Sequence, residues 1–82
     1  MVKLDGFDFQ KSSRKHKKYM VKVNNRTVHF GDNRYQHYRD KIGLYKHLDH
    51  GDKERRKRYY ARHGDAVKHS SKWFSHKFLW PK

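Results

Sequence analysis

Residues 19–30 read YMVKVNNRTVHF. Tyr19, Val21 and Val23 alternate with Met20 and Lys22, and Val28 and Phe30 flank His29. A strand points successive side chains to opposite faces, so each apolar set lies on one face. Asn24-Asn25 separates the two runs. Asn tolerates the positive φ that a two-residue hairpin turn requires. The stretch therefore predicts a β-hairpin, with strands over 19–24 and 27–30, stopped by Gly31-Asp32-Asn33. Its apolar face needs a cover, and the rest of the chain must supply one.

Downstream, residues 34–48 read RYQHYRDKIGLYKHL. Tyr35 and Tyr38 fall three apart, and Leu44, Tyr45 and Leu48 fit one helical face. Gly43 interrupts, so short turns and a connection are expected here. Residues 47–64, HLDHGDKERRKRYYARHG, predict a helix over 50–63. Asp49 is the expected N-cap, Asp52 lies in the first turn and Gly64 suits the C′ position. Tyr59 and Tyr60 define the inward side, with Arg56 and His63 between them. Glu54, Lys57, Arg58, Ala61 and Arg62 point away, and Glu54 with Arg58 forms an i,i+4 pair worth ~0.2–0.5 kcal/mol. After the loop GDAVKHSS, Ser70 or Ser71 caps a last helix, KWFSHKFLW, ended by Pro81. Trp73, Phe74 and Phe78 share a side of it, with Lys77 and Trp80 adjacent. The fold class expected is α+β: a β-hairpin packed against two helices, with an aromatic-rich core, over residues 19–82. Residues 1–18, with Leu4, Phe7 and Phe9 spaced by polar residues and the run KSSRKHKK, are expected as a basic extended arm.

The whole chain has 82 residues, enough for one small domain with a marginal core. Only 33% of it is hydrophobic, yet 16% is aromatic. Disordered basic tails are aromatic-poor, so the chain is expected to fold around its rings. There are no cysteines, which excludes disulfides and thiolate metal sites. A small core without staples favours self-association, so a homodimer or larger assembly is expected. The formal net charge of +14 implies an anionic partner. No apolar run reaches the length of a membrane span, and MVKLDGFDFQKSS carries no signal-peptide core.

The candidate anion-binding residues are Arg14, Lys15, Lys17 and Lys18 on the arm and Lys53, Lys57, Arg58 and Arg62 on the helix. Lys and Arg neutralise phosphates and release counterions, so binding through them is salt-dependent and indifferent to base sequence. No helix-turn-helix, homeodomain or zinc-finger spacing appears. Tyr59, Tyr60, Trp73, Phe74, Phe78 and Trp80 are expected to build the core or an interface, a better use of them than base stacking when other apolar residues are scarce. Eight histidines are present, and Asp49-His50 with His63 faintly suggests a His/metal-dependent nuclease. Such a site needs further ligands that the stretch lacks: residues 51–62 hold no Asn, and Glu54 is the only glutamate. No phosphate-cradling glycine loop exists. The expectation is therefore no catalytic residues, no metal and no cofactor.

Taken in order, the landmarks are KKYMVKVN, VHFG at 28–31, RYQHYRD at 34–40, LYKHLDHGDKERRKRYYARHG at 44–64 and WFSHKFLW at 73–80. This set, covering roughly residues 17–80, resembles small basic uncharacterised proteins of large double-stranded DNA viruses (of the iridovirus, marseillevirus and phycodnavirus kind) and of some phages. The resemblance implies a viral origin and a place in the virion, the viral factory of the host cytoplasm, or the nucleus. It carries over no catalytic residue. The combined expectation is a non-enzymatic, virion-associated protein that binds nucleic acid, or an acidic viral or host protein, through its helix face and arm. The alternative is a minor capsid or cement protein whose arm threads between capsid subunits. The metal nuclease is a weaker third.

Overall fold

The computed structural model describes residues 2–82. Its sheet is made of two hairpins where one was expected. β1 (Val2–Leu4) and β2 (Phe7–Lys11) turn at Asp5-Gly6, both with positive φ, and β3 (Tyr19–Val23) and β4 (Arg26–Phe30) turn at Asn24-Asn25, also both positive. Two successive positive-φ residues give the twist that matches a strand pair. The four strands form one antiparallel sheet in the order β1-β2-β3-β4. Phe9 stands opposite Val21, Val21 opposite Val28, and Tyr19 opposite Phe30.

The first part of the expected arm, residues 2–11, is thus a hairpin of the sheet. Phe9 is fully buried, and Val2, Leu4 and Phe7 pack against the core. The physical reason is the Asp5-Gly6 turn, which folds Leu4, Phe7 and Phe9 back onto the alternating face of β3.

That face carries Phe9, Tyr19, Val21, Val23, Val28 and Phe30. The opposite face carries Lys3, Asp8, Gln10, Lys22 and Thr27, all exposed. One wet face and one dry face are usual for an antiparallel sheet. Two helices follow, α1 (Lys53–His63) and α2 (Ser71–Phe78), and α2 covers the dry face. Phe74 stacks on Phe30 at 5.5 Å between ring centroids, and Phe78 meets Phe9 at 4.7 Å. Each fully buried Phe contributes about 1.5–3 kcal/mol, so these rings supply much of what a small core can. The fold is α+β with an aromatic-rich core.

Ser70 caps α2, accepting from the Trp73 N–H. At α1 the cap differs from expectation. Asp52 accepts from the N–H groups of Glu54 and Arg55, and the helix starts at Lys53. Asp49 is engaged elsewhere. It accepts from His37 Nε2–H at 2.5 Å and from the Asp40 N–H at 2.8 Å. Gly64 closes the helix as expected, with φ +62° and its N–H donating to the Tyr60 carbonyl. Glu54 and Arg58 form no ion pair; among the described residues Arg34–Asp32 is one, and His37–Asp49 is one only when His37 is protonated.

Between β4 and α1 the chain is irregular apart from one 3-10 turn, Lys46–Leu48. Buried Asp40 organises it. Its carboxylate accepts from Tyr19 O–H (2.5 Å), Ile42 N–H (2.8 Å) and Tyr45 N–H (2.8 Å). The bond to Asp40, together with burial, holds the Tyr19 phenol well above its ordinary pKa, burial being the larger cause.

Gly31 marks the exit from β4. Its φ is +78°, and a Cβ there would meet Leu79 Cδ1 at 2.7 Å and the Lys18 stem at 3.1 Å. The two edges of the sheet are blunted. β1 is three residues long, and on β4 the His29 carbonyl accepts from Ser71 O–H while Arg26 donates to the His69 carbonyl at 3.4 Å. Among the described residues, no helix is long and apolar enough to cross a membrane.

Candidate anion-binding groove

α1 is fastened by side chains. Tyr59 stacks flat on Trp80, 4.2 Å between centroids and 5° between planes. The Tyr59 hydroxyl bonds Ser75 (3.1 Å), and the Tyr60 hydroxyl donates to the Trp80 carbonyl (2.5 Å). Arg56 lies over the Tyr38 ring at 4.4 Å and donates to the Pro81 carbonyl at 3.0 Å. Burial pushes the Tyr59 phenol up to about 12, so it stays a neutral hydrogen-bonding group.

This anchoring turns one side of α1 towards the 31–36 loop. Arg55 donates to the Gln36 side-chain carbonyl at 2.9 Å. Arg55, Arg58 and Arg62, spaced i, i+3, i+7, line a recess of about 230 Å³ with Tyr35, Gln36 and Trp80. A second cavity of about 390 Å³ continues from it, sharing Tyr35, Gln36, Arg62 and Trp80. Lys18, Lys72, His63, Ser75 and the Tyr59–Trp80 pair line that second part. The two together make one basic groove with an aromatic floor. Its single carboxylate, Asp32, is taken up by Arg34, which donates to both its oxygens at 3.0 and 2.8 Å. Those bonds pull the Asp32 pKa down to about 2. At His63, burial and then the charges of Arg62 and Lys72 depress the pKa.

The expected anion-binding set divides. Arg58 and Arg62 line the groove. Lys53 and Lys57 are exposed on α1 but take no part in its lining. Arg14 and Lys15 are exposed in the loop between β2 and β3, Lys17 is half-buried there, and none of the three lines the groove. Lys18, expected to wrap a ligand from a free arm, is 2% exposed. Its N–H donates to the Gly31 carbonyl, which draws its stem into the molecule. Of the aromatic set, Tyr59, Phe74 and Phe78 are buried, and Tyr60, Trp73 and Trp80 are half-buried. Arg55, Lys72 and Tyr35 were not anticipated. The i, i+3, i+7 arginine spacing was the available signal for Arg55; Lys72 and Tyr35 arrive from distant sequence and had none.

The residues that suggested a nuclease do not converge. Asp49 is turned to His37, His50 Nδ1 accepts from the Asp52 N–H at 2.9 Å, and His63 packs on Tyr59 with tilted rings, 4.5 Å between centroids. Among the described residues no cluster of three or more His, Asp or Glu side chains could hold a metal ion.

A family model described as "Family of unknown function (DUF5754)" matches residues 7–63, well over half of the chain. The chain belongs to this family. The DUF5754 match runs from β2 through the whole of α1, so it includes Lys18, the 31–36 loop and the three groove arginines, and stops before α2. No curated protein and no solved structure matches the chain.

Proposed function

We propose that this DUF5754 chain is a non-enzymatic protein that binds nucleic acid through its phosphates, without regard to base sequence. The observation that carries the reading is the Arg55–Arg58–Arg62 stripe facing Tyr35 across a continuous groove. Each arginine offers a fork of N–H donors to phosphate oxygens. Tyr35 is 64% exposed, an available surface for an unpaired base, and such stacking is worth ~1–3 kcal/mol. A single strand fits this pairing of cations with open rings better than a duplex, whose bases are already stacked. The resemblance of the ordered landmarks to proteins of large DNA viruses supports a virus particle or viral factory as the setting. The cement-protein alternative loses its main support, because the segment that would thread between subunits is β1 and β2.

The test is binding to a single-stranded oligonucleotide as salt is varied. Wild-type protein should bind at ~50 mM salt and release as salt rises. Replacing Arg55, Arg58 and Arg62 together by Ala should flatten the slope of log K against log salt by about 2, at ~0.7 per phosphate contact. Lys53→Ala with Lys57→Ala should change it less. Negligible wild-type affinity at low salt, or equal losses from the two sets, would overturn the reading.

A further inference from the structure

One end of the groove holds a cation with no protein partner. Lys18 is 2% exposed as a residue and lines the 390 Å³ cavity; among the described residues its ammonium makes no hydrogen bond to protein, and it is not sealed from solvent. An ammonium carries three donors, and these are left to solvent at the cavity, open to a ligand's acceptor oxygens. Three carboxylates surround it, and each is committed elsewhere. Asp40 is held by Tyr19, Ile42 and Tyr45, Asp49 by His37 and Asp40, and Asp32 by Arg34. None lies within ion-pair distance of Lys18. Burial lowers its pKa to about 8, so it is still mostly protonated at neutral pH.

Its place is secured by Gly31. A Cβ there would meet Leu79 Cδ1 at 2.7 Å and crowd the Lys18 stem at 3.1 Å, so the bare backbone leaves room for both. Arg62 and Lys72 stand at the same cavity, with the Ser75 and Tyr59 hydroxyls.

We propose that this cavity is a pocket for the terminal phosphomonoester of a nucleic-acid strand, with Lys18 as its buried anchor and Arg62 and Lys72 at its mouth. The inference rests on the groove reading and deepens it. A backbone phosphodiester running past a groove keeps a sugar on either side, which holds it away from an ammonium on so covered a side chain. A strand end has one free side and can be inserted. A monoester also brings close to two negative charges and three strong acceptor oxygens, which matches an ammonium with three free donors and two further cations. The cavity lies within the size range of small-ligand sites.

The experiment compares one single-stranded oligonucleotide in three forms: 5′-phosphate, 3′-phosphate and hydroxyl at both ends. Binding to the full chain is read by fluorescence anisotropy. One phosphorylated form should bind about tenfold tighter than the hydroxyl form, the scale of one added charge-assisted contact. Which form gains identifies the strand end. Lys18→Met, which keeps the stem's length, should erase that preference, bringing the phosphorylated form down to the affinity of the hydroxyl form. In wild-type protein, thymidine 5′-monophosphate should compete for the preferred site while thymidine does not, a readout independent of whether the variant folds. Equal affinity for all three forms, with hydroxyl binding intact, overturns the pocket and spares the groove. If no form binds, the groove reading falls. The pocket then falls too unless thymidine 5′-monophosphate raises the wild-type melting temperature where thymidine does not.

Discussion

At the scale of single residues, the decisive groups are polar and buried. Asp40, His37 and Lys18 are all at most 2% exposed. None was legible as buried in the sequence, where charged residues are ordinarily surface residues and the hydrogen-bond partners lie far away. Asp40 and Tyr19 are 21 positions apart, and only the folded chain brings them together. His37 shows what burial implies for pH. Its Nε2–H donates to Asp49, while its Nδ1 is buried without a partner. Burial, helped by the nearby Lys18 charge, lowers its pKa below the ordinary 6.5. The unfolded chain therefore takes up a proton near pH 6.5 that the folded chain resists. His37's contribution to stability is complete above that pH and is lost as pH falls towards its folded value. His29, His50 and His63, also lowered, act in the same direction. Urea unfolding at pH 7.5 and pH 5.5 should show the loss. His37→Gln should shrink the difference, and an unchanged difference would rule His37 out as a contributor.

At the scale of elements, local signals worked where they were self-contained. The β3–β4 hairpin, the Gly64 stop and the Ser70 cap are each written within a few residues. So is the β1–β2 turn: Asp-Gly between Leu4 and Phe7 is a strong hairpin signal. Its reading lost out to the charge run at 11–18, which suggested an arm. The start of α1 is a different kind of failure, because both Asp49 and Asp52 satisfy the capping preference. What separates them is a tertiary demand on Asp49 from His37 and Asp40. The two aspartates should therefore differ when removed. Asp52→Ala deletes a cap and should cost about 1 kcal/mol. Asp49→Ala leaves the buried His37 Nε2–H and the Asp40 N–H unanswered and should cost roughly 2–5 kcal/mol. Thermal or denaturant unfolding of both variants checks the ranking, and equal losses would contradict the assignment of the cap to Asp52.

At the scale of the whole molecule, the chain covers its own aromatics. A homodimer was expected because so small a core, with no cysteines to staple it, favours self-association. Here Phe7, Phe9 and Phe30 meet Trp73, Phe74 and Phe78, and Tyr59 covers Trp80. The β1–β2 hairpin, absent from the expected domain, supplies two of those partners. With that need met and a charge of +14 on every copy, free chains repel one another. Sedimentation at moderate salt should give a single species near 10.2 kDa across a wide concentration range. A mass that doubles with concentration would show a dimer interface. The groove was half legible at this scale: its α1 wall could be read from arginine spacing, while its opposite wall depends on how the irregular 31–52 link is folded around Asp40.

The blunted edges of the sheet gain importance from the same charge. The charge of +14 disfavours contact between free copies; under the proposed function a bound polyanion would cancel it and crowd many copies along one strand. Under those conditions an open strand edge would invite neighbouring copies to join into a continuous, aggregating sheet. The shortness of β1, and the closure of β4 by Arg26 and Ser71, act after neutralisation, when electrostatics no longer can. Under the proposed function, the protein would be gathered at high density on a nucleic-acid strand and released again by salt as separate, folded chains.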